Sequence, residues 1–146
     1  MRPADVVCAE WVRLKCQYGC DGWGGCLTCP PHSPTPARTR RVLDEYSHLL
    51  LVHCTRWRSV SRLVVKLERE IFLDGQHMAF AWVAGPCLLC RTCDTSAPCR
   101  HAERARPSME SAGIDVYSTA RRAGFPIRVV RHRRDEQNYY GLVGLD

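Results

Sequence analysis

The sequence predicts a single layered domain, α+β or α/β, built on a mixed sheet and carrying two cysteine-rich metal-binding loops. Three observations point there. Strand-like and helix-like apolar patterns alternate along the 146 residues. Eight of the ten cysteines fall in two stretches, at about residues 16–34 and 85–106, that are too rich in turn-forming residues to be regular. The 45% hydrophobic and 25% charged shares are those of an ordinary globular chain, and the length suits one domain, residues 1–146.

The elements follow in order. Val6 to Leu14 reads as a strand. The loop CQYGCDGWGGCLTCPPHSPTP comes next. Thr35 and Pro36 then form a helix start, the threonine as cap and the proline at the first helical position. Val42, Leu43 and Tyr46 supply that helix's inner face. His48 to Trp57 is apolar and continuous, as a buried strand would be. A second helix is expected over Val60 to Asp74, capped by Ser59 and ended by Gly75, with Val60, Leu63, Val64, Leu67 and Ile71 on one side. Met78 to Val83 reads as a third strand leading into Gly85-Pro86. Beyond the second loop, Pro107 to Ala112 is expected as a short helix closed by Gly113. Asp115 caps another helix through Ala123, closed by Gly124. Ile127 to His132 and Tyr139 to Leu145 complete the reading as a terminal strand pair. There is no solenoid repeat, low-complexity tract or coiled-coil heptad.

Ten cysteines imply disulfides or metal. The start, MRPADVVCAEW, has no apolar core of signal-peptide length, and the run Leu49 to Val52 is far too short to span a membrane. A cytoplasmic setting is therefore expected, where thiols stay reduced and clustered cysteines hold metal. The formal charge is +6, from 21 basic residues of which only Lys15 and Lys66 are lysine. Codon composition accounts for an arginine bias as readily as an anionic partner does. Four thiolates on a four-iron core carry roughly −2 net, so two such sites would offset most of the excess and disfavour nucleic acid as partner.

The second loop, GPCLLCRTCDTSAPCRH, spaces Cys87, Cys90, Cys93 and Cys99 as C-x2-C-x2-C-x5-C. One CxxC pair aims two sulfurs at a point. A second pair overlapping it wraps the chain around a larger object. A cubane offers several iron corners that each want a thiolate, whereas a lone tetrahedral zinc is commonly held by two separated pairs. An iron–sulfur cluster is thus favoured, with zinc as the alternative. Amides exposed after Gly85-Pro86 could hydrogen-bond the cluster sulfurs and raise its potential. In the first loop Cys16, Cys20, Cys26 and Cys29 fall as C-x3-C-x5-C-x2-C, with Pro30 and Pro31 directly after. That spacing suits a second cluster, a zinc site, or a partial ligand set that leaves one iron open. Cys8 and Cys54 lie in predicted strands and read as core filler.

His32 and His101 sit close enough to the loops to act as ligands or proton donors, although solvated loop histidines are commoner. Glu103, Arg104, Arg106, Ser108 and Glu110 read as caps and surface charge, or else as a substrate-binding rim in which arginine would suit a carboxylate or phosphate. No phosphate loop, nucleophile elbow or HExxH helix is present. The overlapping third cysteine argues against a thioredoxin-like pair, and the CxxxCxxC spacing of radical enzymes is absent.

With both loops in view, the chain resembles a family of cysteine-rich, predicted metal-binding proteins of bacteria and archaea whose function is unknown. The stretches that carry the likeness are CQYGCDGWGGCLTCPPHSP, LEREIFLDGQHMAFAWVAGPCLLCRTC, CRHAERARPSMESAGIDVYSTARRAGFP and NYYGLVGLD. They cover well over half the chain, and the run from Glu68 to Pro126 is the most specific. By position, the resemblance places metal-ligand candidates at Cys87, Cys90, Cys93, Cys99, Cys16, Cys20 and Cys29. The family pattern has an aromatic-bearing segment where this chain has a glycine pair and Cys26, so no role carries over to that cysteine. The stretch between the Leu49 strand and the Glu68 helix is also shorter than is usual there. The resemblance implies an iron–sulfur or related metal role and no reaction.

Three functions follow. The first is binding of one or two iron–sulfur clusters, [4Fe-4S] in type, for electron transfer to a protein redox partner. The second is an enzyme whose open cluster iron acts as a Lewis acid on a small-molecule substrate, in sulfur transfer or dehydration. The third is a zinc-stabilised binding module.

Overall fold

A computed structural model describes residues 1–146. The fold is α+β. A three-stranded sheet in the order β1-β3-β2 is made by β1 (His48–Cys54), β2 (Phe80–Trp82) and β3 (Tyr139–Leu145). Both ladders are antiparallel, with Val143 opposite Leu50 on one side and opposite Ala81 on the other. The expected mixed character is limited to one isolated parallel bridge, Val83 to Ser108.

The last strand in sequence is central because it can be buried on both faces. Its alternate residues divide two cores. Tyr140 and Leu142 join Leu43, Leu49, Trp82, Met109 and Ile114 on one face, and Val143 joins Val60, Val64, Ala81 and Val83 on the other. Its two glycines admit close neighbours. A Cβ on Gly144 would lie 2.4 Å from the Tyr46 ring, and one on Gly141 would lie 2.8 Å from Val64.

There are four α-helices: α1 (Trp11–Gly19), α2 (Pro36–Leu43), α3 (Trp57–Leu73) and α4 (Val116–Arg122). α3 covers one face through Val60 and Val64. The other face is closed by α2, α4 and the turns at 108–114. Thr35 Oγ1 accepts the Arg38 N–H at the start of α2, and Asp115 accepts the Ser118 N–H at the start of α4, as the sequence led us to expect.

Several expectations are corrected. Residues 6–14 are not a strand. A single bridge at Cys8 to Ile114 is followed by α1, in which only Val12 is buried. Over so few residues the apolar pattern suits either period. β1 stops at Cys54, and Trp57 opens α3 instead, so the N-cap is Arg56 rather than Ser59. Leu63, expected on the inner stripe, is 39% exposed. β2 spans three residues rather than six. Residues 107–112 form turns, not a helix, and 127–132 pair with nothing. Both edges of β3 are already occupied by β1 and β2, which leaves no place for a hairpin partner.

Two sets of contacts position the cysteine loops. The second loop is pinned at its base, where Val83 N–H donates to Pro107 O and Met109 N–H donates to Val83 O. The end of the first loop is tied to the chain that follows the second. Ser33 Oγ donates to Ser111 O at 2.6 Å, and Thr39 Oγ1 donates to Ala112 O at 2.7 Å. Gly113, at φ +80°, lies so close to Pro36 that a Cβ would sit 2.3 Å from its ring.

Candidate metal centre

The second loop leaves β2 through buried Val83 and Ala84 and turns at Gly85. It contains no helix or strand. Asp94 Oδ1 accepts the N–H and hydroxyl of Ser96, which shapes the excursion between Cys93 and Cys99. All four cysteines of this loop are half-buried. Cys90, Cys93 and Cys99 line one cavity of about 210 Å³, and Leu27 of the first loop closes it. Cys87 lies to one side, where it borders a larger groove along α3. Burial pushes the Cys87 thiol up, and the nearby charges of Cys26, Cys99 and Cys90 add to that, against a hydrogen bond from the Leu89 amide.

The first loop begins inside a helix, because Cys16 belongs to α1 and Cys20 is its C-cap. The chain then folds back at Gly22. Gly22 N–H donates to Cys20 Sγ at 3.4 Å. A Cβ on Gly22 would lie 3.3 Å from Cys29 Sγ and 3.5 Å from Cys20 Sγ, so one glycine separates two sulfurs. Cys29 is buried, and that burial, with the charges of Cys26 and Cys20, pushes its thiol up to about 12. Cys16 is also pushed up by burial and by neighbouring Cys20.

Cys26 joins the loops. Its sulfur lies 3.3 Å from Thr28 Oγ1, and Leu27 beside it lines the cavity of Cys90, Cys93 and Cys99. Burial pushes this thiol up, but hydrogen bonding to Thr28, aided by the neighbouring Cys93 and Cys29 thiols, outweighs it and leaves Cys26 below the ordinary thiol range. The Leu27 amide that follows faces Cys93 Sγ and pulls that thiol down, while burial and Cys26 leave it above its usual value overall. The two cysteine loops thus form one contiguous sulfur-rich region. Nothing in the spacing of either loop signals that meeting. The only sequence hint was the extra cysteine itself.

No three Cys, His, Asp or Glu side chains converge at single-ion distance. A tetrahedral zinc with Zn–S near 2.3 Å needs sulfurs about 3.8 Å apart. The sulfurs are spread instead around a cavity and along a junction. None of the ten cysteines is cross-linked. The donor set is soft and sulfur-only, with amides of Gly22, Leu27 and Leu89 aimed at sulfur. Such donors fit a thiophilic metal group, whose positive charge would offset the crowding of thiolates.

The remaining candidates have structural roles. Cys8 packs against the core that contains Leu43, and Cys54 against the one that contains Val60. His32 is exposed, and His101 Nδ1 lies 3.4 Å from the Arg104 guanidinium. Ser108 Oγ accepts the Ser111 N–H within a turn, and Glu103 pairs with Arg104 at the surface. Glu110 is exposed. Arg106 is different. With its side chain 14% exposed, it forms a two-nitrogen pair with Glu68, itself 7% exposed, and Nε lies 2.8 Å from Oε2. Glu68 also accepts the Ala81 N–H. Glu68 falls four residues after Val64 and eight after Val60, so helical spacing places it on the buried stripe, where its charge hid it.

The profile of the DUF2284 family, described as a predicted metal-binding protein, matches residues 1–145. The chain belongs to that family. The match takes in both cysteine loops of this DUF2284 protein and all three strands of the sheet. No curated protein and no solved structure matches the chain. No helix of the DUF2284 chain is long and apolar enough to cross a membrane.

Proposed function

We propose that this protein binds an iron–sulfur cluster of the four-iron type through Cys87, Cys90, Cys93 and Cys99, and that it carries electrons to a protein partner. The observation that carries this reading is the single cavity shared by Cys90, Cys93 and Cys99, with Leu27 as its lid. Overlapping CxxC pairs make such a wrap, and a single tetrahedral ion does not call for it. When bound, the cluster supplies one-electron chemistry. The chain's own part is to shield it and set its potential. Leu27 and Pro98 give the cavity an apolar part of its lining, and amides at Leu27 and Leu89 favour the more reduced, more negative state. Cys16, Cys20, Cys26 and Cys29 are proposed as a second metal site, with Cys26 as the contact between the two. A cytoplasmic, reducing setting suits both.

One-electron reduction of anaerobically purified protein tests the role. We expect a reversible EPR signal from a reduced cluster. A cluster that resists reduction in the accessible range would count against electron transfer, and colourless protein holding zinc alone would favour a zinc-stabilised module.

A second reading has one observation of its own. Cys87 faces the large groove rather than the small cavity. An iron reached from that groove could act on a substrate as a Lewis acid. Mössbauer spectra would then show one distinct iron that responds to added ligand, and uniform sites in every cluster would exclude this.

A further inference from the structure

A concavity of about 1190 Å³ runs along α3 to Cys87. Its two walls differ in chemistry. Trp57, Phe72, Leu88 and Leu89 give it an apolar lining, and three of these are markedly exposed: Leu88 at 57%, Phe72 at 53% and Leu89 at 38%. Arg58, Arg62 and Arg69 stand beside them on α3. Steps of four and seven residues put those arginines along one side of a helix. None of the three is in an ion pair.

The groove is also held in shape. Ser61 Oγ accepts the Ala84 N–H at 3.2 Å and lies 2.8 Å from Trp57 O, which locks the start of α3 to the end of β2. Gly85, at φ +69°, passes under the Trp57 ring so closely that a Cβ would lie 2.9 Å from it. The buried Glu68–Arg106 pair fixes the segment at 103–106 against α3. A preformed apolar cleft with a few convergent charges is what a small-molecule site requires.

We propose that this groove binds an organic anion, a carboxylate or phosphate carried on an aromatic or aliphatic body. The Arg58 guanidinium already covers the Trp57 ring at 5.3 Å, so the body would lie on Phe72, Leu88 and Leu89, and the anionic group would reach Arg62 and Arg69. Arginine suits both oxyanions because its planar fork donates two parallel hydrogen bonds. A neutral apolar ligand would leave the Arg62 and Arg69 guanidiniums unused, and an inorganic anion would leave the apolar wall wet. The inference uses the cluster reading only to place a cofactor beside Cys87 at one end of the groove. Binding of the anion does not depend on which metal is held.

The test is titration of purified protein with 1-anilinonaphthalene-8-sulfonate, an aromatic anion, beside its uncharged analogue N-phenyl-1-naphthylamine. Metal content is measured on the same samples. We expect saturable binding at one site, weakened by salt, with the neutral analogue binding less tightly. The double variant Arg62→Gln/Arg69→Gln should weaken the anion roughly tenfold or more, as loss of charge-assisted hydrogen bonds does. Arg133→Gln, in the exposed loop before β3, should leave it unchanged. These arginines are exposed, so the variants should melt like the parent. Absence of saturable binding, equal affinity for the neutral analogue, or an unchanged double variant would each overturn the proposal. So would preference for polyglutamate, which would make the groove a dock for an acidic protein. Metal-loaded protein that does not bind the anion would sink this inference alone, and anion-binding protein that never takes up iron would sink the cluster reading alone.

Discussion

Cys26 shows how one side chain changes the meaning of two motifs. The spacing of Cys87, Cys90, Cys93 and Cys99 predicts a cofactor wrap because overlapping pairs have few other uses. The position of Cys26 against Cys93 was not readable, since contacts between remote loops leave no periodic trace. Glu68 was hidden for a related reason. On an exposed helix it would be one charge among several, and only its partner Arg106, 38 residues away, makes its burial tolerable. Removing that partner has a predictable consequence. Glu68→Ala should strand a mostly buried guanidinium and cost about 3–5 kcal/mol, read by urea denaturation. A loss below about 1 kcal/mol would mean that the pair is solvated rather than structural.

Among the elements, those with local chemistry were legible. Thr35-Pro36 marked α2, Asp115 marked α4, and apolar runs marked β1 and β3. Elements defined by what lies beside them were not. Residues 127–132 carry strand-like residues, yet β3 has no free edge to offer them. Residues 11–19 became a helix that carries Cys16 toward the first loop. The central place of β3 rests on its glycines as much as on its apolar residues. Gly144→Ala should drive a methyl group into the Tyr46 ring, which is itself buried and T-packed against Trp82. Overpacking of this kind costs about 1–3 kcal/mol. The lowered melting temperature should come with altered near-ultraviolet circular dichroism from the aromatic cluster. An unchanged melt would show that Tyr46 swings aside freely.

At the scale of the whole molecule, a small antiparallel sheet holds two irregular loops against each other. The hydrophobic cores sit on the sheet, while the sulfurs sit in segments with little regular structure. The fold therefore has its own source of stability, and the cysteine loops are attached to it rather than forming its nucleus. The fold class was legible because alternation and length bound it. The union of the two loops depended on staples such as Ser33 to Ser111, which span 78 residues and have no local signature.

The measurement that bears most directly on the central claim is iron and acid-labile sulfide per chain in anaerobically reconstituted protein, compared among the parent, Cys93→Ser and Cys26→Ser. If Cys87, Cys90, Cys93 and Cys99 hold the cluster, the parent should contain about four iron and four sulfide at this site. Cys93→Ser should lose about four iron and four sulfide, and Cys26→Ser should keep at least that number. Iron and sulfide unchanged by Cys93→Ser, or a parent that takes up zinc and no sulfide, would contradict the account.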